Sequence, residues 1–159
     1  MALSPVETVQ NPAFGSVLLW QFGLGYQRES IDRLPNFELF FLVLPIILHA
    51  KSLAHVTSTL AGSGLGKFVE KLGDSREDLV AVHDRALAMR LLTLQSIGIG
   101  VTTRLLSLNY ETASVRANDA KAPKSPERTK RHIAGAEKLG TWLARVPIGQ
   151  TFSTLQVHP

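Results

Sequence analysis

The chain has 159 residues, no cysteine, 45% hydrophobic residues and a net charge of +4 from 17 basic and 13 acidic side chains. That length suits a single domain spanning 1–159, which would bury roughly 70% of its unfolded surface, and the hydrophobic content excludes wholesale disorder. Without cysteine there is neither a disulfide nor a thiolate metal site. The opening MALSPVETVQNP has no basic or apolar signal region, so a cytoplasmic protein is expected.

A flexible N-terminus is expected over 1–10. Asn11-Pro12 then reads as a helix start, an N-cap residue followed by proline at the first helical position. Phe14, Val17, Leu18 and Phe22 follow at helical spacing, and Gly23 and Gly25 are expected to end that helix. After a polar connector comes Leu39 to Leu48, ten residues that are all apolar or proline. Ten residues are too few to cross a bilayer as a helix, which takes about 20, and Pro45 opposes a central strand. The run therefore reads as a buried helix capped by Asn36 and bent at Pro45.

Leu65, Phe68, Val69 and Leu72 give a short amphipathic helix closed by Gly73. Ser75, with Asp78 three residues on, opens the longest expected helix, whose core stripe reads Leu87, Leu91, Leu94, Gly98, Val101 and Leu105. Beyond Leu106 the period changes to two: Leu106, Leu108 and Tyr110 alternate with polar residues, and Ala113 and Val115 supply the second arm of a hairpin or wing. Residues 117–125 read as a mobile basic loop. The last helix carries Ile133, Leu139, Trp142, Leu143 and Val146, and a short β-prone tail follows Pro147. The expected fold is mainly α, about five helices with a small β-hairpin or wing and that tail.

Chemistry-bearing patterns are scarce. Ala61-Gly62-Ser63-Gly64-Leu65-Gly66-Lys67 resembles a phosphate loop, but Ala61 and Phe68 break two of its four fixed positions and no strand precedes it. His49, His55, His83, His132 and His158 show no ligand spacing, and no serine sits in a nucleophile elbow. No catalytic, cofactor or metal residue is therefore assigned. The segment from Arg116 to Lys138, with seven basic and three acidic residues, accounts for the whole net charge, and its stretch Lys121 to Arg131 is the strongest polar candidate. Within it Lys121, Lys124, Arg128, Lys130 and Arg131 are candidate nucleic-acid contacts. Trp20 and Trp142 read first as core residues, with interface anchor as the alternative for either, and Phe152 is a further candidate anchor.

Several stretches, in order, resemble a known family: Asn11-Pro12-Ala13-Phe14-Gly15, LPNFELFFLVLPIILH from Leu34 to His49, Ser58-Thr59, LQSIGIG from Leu94 to Gly100, and AEKLGTWLARVPIGQTFSTLQVHP from Ala136. Together they are similar to the small middle component of three-component ABC (ABC-3C) conflict systems, and to the middle subunit of Lamassu-type defence complexes. The resemblance implies a non-enzymatic adaptor between an SMC-like ABC ATPase and an effector, commonly a nuclease, with DNA engaged through the complex and no membrane involved. The alternative from the residues alone is a free-standing winged-helix nucleic-acid-binding regulator. An uncovered flank of the Leu39–Leu48 helix is expected to face a larger partner.

Overall fold

A computed structural model describes residues 10–158; the expectation of a flexible stretch over 1–10 falls almost wholly outside them. Eight α-helices and one two-stranded antiparallel sheet are formed among the described residues, more helices than the five expected. Helix α1 (Pro12–Glu29) is the central element. Asn11 caps it as expected, its Oδ1 accepting from the Ala13 N–H at 2.7 Å. It does not stop at Gly23 and Gly25. It runs on to Glu29, packing along its length against α7 (Lys130–Ala144) and α6 (Arg90–Thr102). The glycines serve contact: a Cβ on Gly25 would fall on the Glu137 carbonyl, and one on Gly140 of α7 would fall on the Phe22 carbonyl. The two backbones thus cross at a distance that no side chain permits.

Asn36 caps a 3₁₀ turn, Phe37–Leu39, which feeds α2 (Phe40–Ile47). Leu39, Phe40 and the whole of Leu42–Ile47 are buried, so the apolar run is the core helix it was expected to be. Its bend is displaced from Pro45. The chain turns through 100° between the segment ending at Ile47 and α3 (Ala50–Ser58), with His49 extended (φ −95, ψ 117). Proline near a helix end forfeits one hydrogen bond, and Leu48 still donates to Leu44 at 2.9 Å. Among the described residues no single helix is long and apolar enough to cross a membrane; only the bent pair Phe37–Ile47 with Ala50–Ser58 has the composition.

Gly64 adopts φ +81, a left-handed conformation that favours glycine, and opens α4 (Gly64–Gly73), with Leu65, Phe68 and Leu72 facing the core. The long helix expected from Ser75 is divided at Met89 (φ −98, ψ 6) into α5 (Arg76–Ala88) and α6. Of its expected stripe only Leu105 reaches the core; Leu87, Leu91, Leu94, Gly98 and Val101 are exposed. The buried face of α6 is instead Thr93, Ser96, Ile97 and Gly100, again a helical series but made mostly of small residues. Close approach to α1 explains the choice: Ser96 occupies the space a Cβ on Gly15 would need, and its hydroxyl turns back to donate to the Leu92 carbonyl.

Strands β1 (Leu106–Asn109) and β2 (Ser114–Ala117) pair as expected, with Leu106 opposite Ala117 and Leu108 opposite Val115. The outer edge of β2 is occupied by residues 35–37: Val115 donates to Pro35 and Ala113 accepts from Phe37. Residues 118–126 have no regular structure, a 3₁₀ turn (Glu127–Thr129) leads into α7, and α8 (Ile148–Leu155) stands where a β-prone tail was expected. Thr151, Phe152 and Leu155 are buried at helical spacing against α4 and α5, so packing overrides local β preference there.

Candidate functional site: polar clusters and an uncovered apolar face

The basic residues singled out in the sequence lie along one continuous segment. Lys121 and Lys124 line a groove whose other walls include Phe14 and Val17 of α1, Ile99 of α6 and Thr103 just past its end. Arg128 follows in the 3₁₀ turn, and Lys130 begins α7 with its ammonium 2.6 Å from Glu127. Arg131 adds a charge beside His132, whose ring is half-buried edge-on to Phe14 at 5.8 Å. Burial first, and Arg131 second, hold that histidine below its usual pKa.

The three candidate anchors belong to the subunit's own interior. Trp20 is buried and its indole N–H donates to the Asn118 carbonyl at 2.8 Å, tying the end of the hairpin to α1. Trp142 is fully buried beside Phe68, donating to the Ala61 carbonyl at 3.0 Å. Phe152 is buried apart from an edge that reaches a groove described below. Both indoles therefore have apolar surroundings and a satisfied N–H. None of the three offers a free face for a partner.

Sequence reading missed a polar cluster at the 100° bend. Arg85 of α5 donates through Nε to the Pro45 carbonyl at 3.1 Å and through Nη2 to Ser52 Oγ at 3.1 Å. Pro45 lies in the last turn of α2, where a carbonyl has no partner within the helix. Ser52 in turn stands 2.9 Å from His49 Nδ1, which also accepts the Ser52 N–H as the cap of α3. His49 must be neutral at Nδ1 to do so. Burial chiefly, and then the Arg85 charge, push its pKa below the ordinary value. Lys51 pairs with Asp78 at 2.5 Å and holds that carboxyl below its usual range. At the other end of α3, Lys138 donates to the Val56 and Thr59 carbonyls and Lys71 to Ser58, cations placed where the helix dipole favours them. These groups lock the bend. Among the described residues no three His, Asp or Glu side chains gather to hold a metal.

The most conspicuous surface is apolar. Leu91, Leu94 and Val101 of α6 are 66%, 42% and 39% exposed, and Leu87, at the end of α5, is 57% exposed. Roughly 130° separates this face from the buried small-residue face, at 3.6 residues per turn. The apolar periodicity was visible in the sequence, but periodicity alone does not say whether a stripe is covered by its own chain or by another. Beside Leu87 a groove of about 380 Å³ is lined by Phe37, Phe41, Arg90, Phe152 and His158. Phe37 and Phe41, packed edge to face at 5.3 Å, are partly exposed, as is Leu48 at the far end of the apolar run. The uncovered flank of the core helix and the leucine face therefore meet.

Comparison with curated proteins and with solved structures gives no match. The profile of one protein family matches residues 3–159, nearly the whole chain and every element that frames this face. The chain belongs to the ABC-three component (ABC-3C) system Middle Component 3 family.

Proposed function

We propose that the chain is a non-catalytic adaptor acting in the cytoplasm, linking an SMC-like ABC ATPase to an effector nuclease in a prokaryotic antiviral or anti-plasmid system. In this reading it is comparable with the small middle subunit of Lamassu-type complexes, and DNA is engaged by the assembly. The middle-component family supports it, and one observation carries it: Leu87, Leu91, Leu94 and Val101 stand in solvent on a subunit that buries a complete core elsewhere. Contiguous apolar surface of that kind marks a protein contact. Co-expression with the ATPase and effector that this reading predicts among the neighbouring genes tests it. A three-part complex on a sizing column is expected; elution of this subunit alone, with both others present and folded, overturns it.

Direct DNA contact is a second reading, favoured by the placement of Lys121 and Lys124 on one groove ahead of Arg128, Lys130 and Arg131. Binding of duplex DNA by the isolated protein should then weaken steeply with salt. It should also fall when Lys124, Arg128, Lys130 and Arg131 are neutralised, and an unchanged affinity removes the idea. A free-standing winged regulator is the less favoured form of it, because the outer edge of β2 is already bonded to Pro35 and Phe37.

A further inference from the structure

We propose that the face of α6 is the seat for a single α-helix of a partner subunit, one with an apolar seam repeating every 3.5 residues and acidic residues along its flanks. The inference rests on the adaptor reading and names the chemistry of the partner at that face. Three observations carry it.

Spacing is the first. Leu91, Leu94, Gly98 and Val101 follow one another at three, four and three residues along a single helix, with Leu87 four residues earlier across the Met89 break. Alternation of three and four is the signature of helices packed knobs-into-holes. Asp84, the preceding position in the series, is charged and closes the seam at that end. A helix lying on a lipid surface would show a broader apolar face instead.

Gly98 is the second. It sits in mid-helix at the centre of the seam, where glycine weakens a helix relative to alanine, and a Cβ built on it meets nothing within 4 Å. Two residues on, Gly100 is required by the subunit itself, since Leu106 fills the space beside it. Nothing in the subunit requires Gly98. An open notch between Leu94 and Val101 suits a large side chain or close backbone of a partner helix. The groove between Phe37, Phe41 and Leu87, which Glu38 also lines, takes a second bulky side chain about three turns away.

Charge is the third, and it chooses among occupants. From Arg85 to Tyr110 the chain has no acidic residue, while Arg90 and Arg104 flank the two ends of the seam. A second copy on this face, antiparallel or parallel, would set this arginine-bearing, acid-free stretch against itself, with Asp84 at the α5 end the one carboxylate along the series. Either pairing is repulsive, whereas acidic flanks on a different subunit are complementary.

The test uses the full chain co-expressed with the ATPase and effector subunits that the adaptor reading predicts among the neighbouring genes. Leu91→Glu with Leu94→Glu changes two exposed side chains and should abolish co-elution. Gly98→Ala should raise the Tm of the isolated subunit by a few degrees while weakening assembly roughly tenfold, a combination that simple misfolding cannot produce. Leu60→Glu, at an exposed leucine outside the seam, should leave both unchanged. A photo-cross-linker at Gln95 should join a helical segment rich in Glu or Asp beside an apolar heptad. If the native chain assembles and the seam variants assemble equally well, the seat is refuted while the adaptor reading stands. If the native chain fails to assemble with either subunit, the adaptor reading fails first and takes the seat with it. Cross-links to a second copy of the chain, or flotation with phosphatidylglycerol vesicles lost in Leu91→Glu, would assign the face to those occupants and overturn the proposal.

Discussion

His49 and His132 make the stability of this subunit depend on pH. Both are held below the ordinary histidine value of about 6.5, in each case first by burial and then by a neighbouring arginine, Arg85 or Arg131. For a group with a lowered folded-state pKa, the unfolded chain takes up protons first. Stability is therefore intact above about pH 6.5 and falls as pH drops through the lowered values. Thermal melts between pH 7.5 and 5 should show this loss, and His132→Phe, which removes one of the two rings with a lowered pKa and the unsatisfied buried Nδ1, should shallow the slope. Arg85 acts differently, as a donor to the Pro45 carbonyl and Ser52 at the bend. Replacing it with methionine strands those acceptors, at about 1–3 kcal/mol by denaturant titration. The glycines at the α1–α7 crossing are the least tolerant positions of all. Gly25→Ala or Gly140→Ala drives a methyl into the opposing backbone, and overpacking of that kind costs about 1–3 kcal/mol or more.

Elements were legible where a local signal has one meaning. Asn11-Pro12 started α1 at the expected residue, and Asn36 capped the turn that leads to α2. The Leu65–Leu72 pattern gave α4, and the change to a period of two at Leu106 gave the hairpin, with Tyr110 and Ala113 in its turn rather than its strands. Asn11→Ala should accordingly cost about 0.5–2 kcal/mol, since its Oδ1 accepts an otherwise unpaired N–H. Signals with two meanings misled. Glycine ends helices and also lets them cross closely, and Gly23 and Gly25 do the second. Met89 carries no breaker signal, so the division of α5 from α6 was invisible. Thr151 and Phe152 favour strands in isolation, yet the contacts that bury them against α4 and α5 are remote in sequence. Arg85, more than 30 residues from the bend it locks, is the same case for a polar side chain.

At the scale of the molecule, the apolar run at 39–48 and the leucine series at 87–101 looked alike as sequence, and the fold treats them oppositely. The first is wrapped by the subunit, apart from a flank at Phe37 and Phe41; the second lies open next to that flank. A stripe of leucines declares that something covers it without saying what, and a middle component of a three-component system has other subunits to do so. The two tryptophans and Phe152, residue types that commonly anchor interfaces, are taken up by the core. The most direct measurement is carbene footprinting of the subunit alone and in the assembled complex. Labelling of Leu87, Leu91, Leu94 and Val101 should drop sharply on assembly. Equal labelling of those four residues in the free and assembled states would contradict the account.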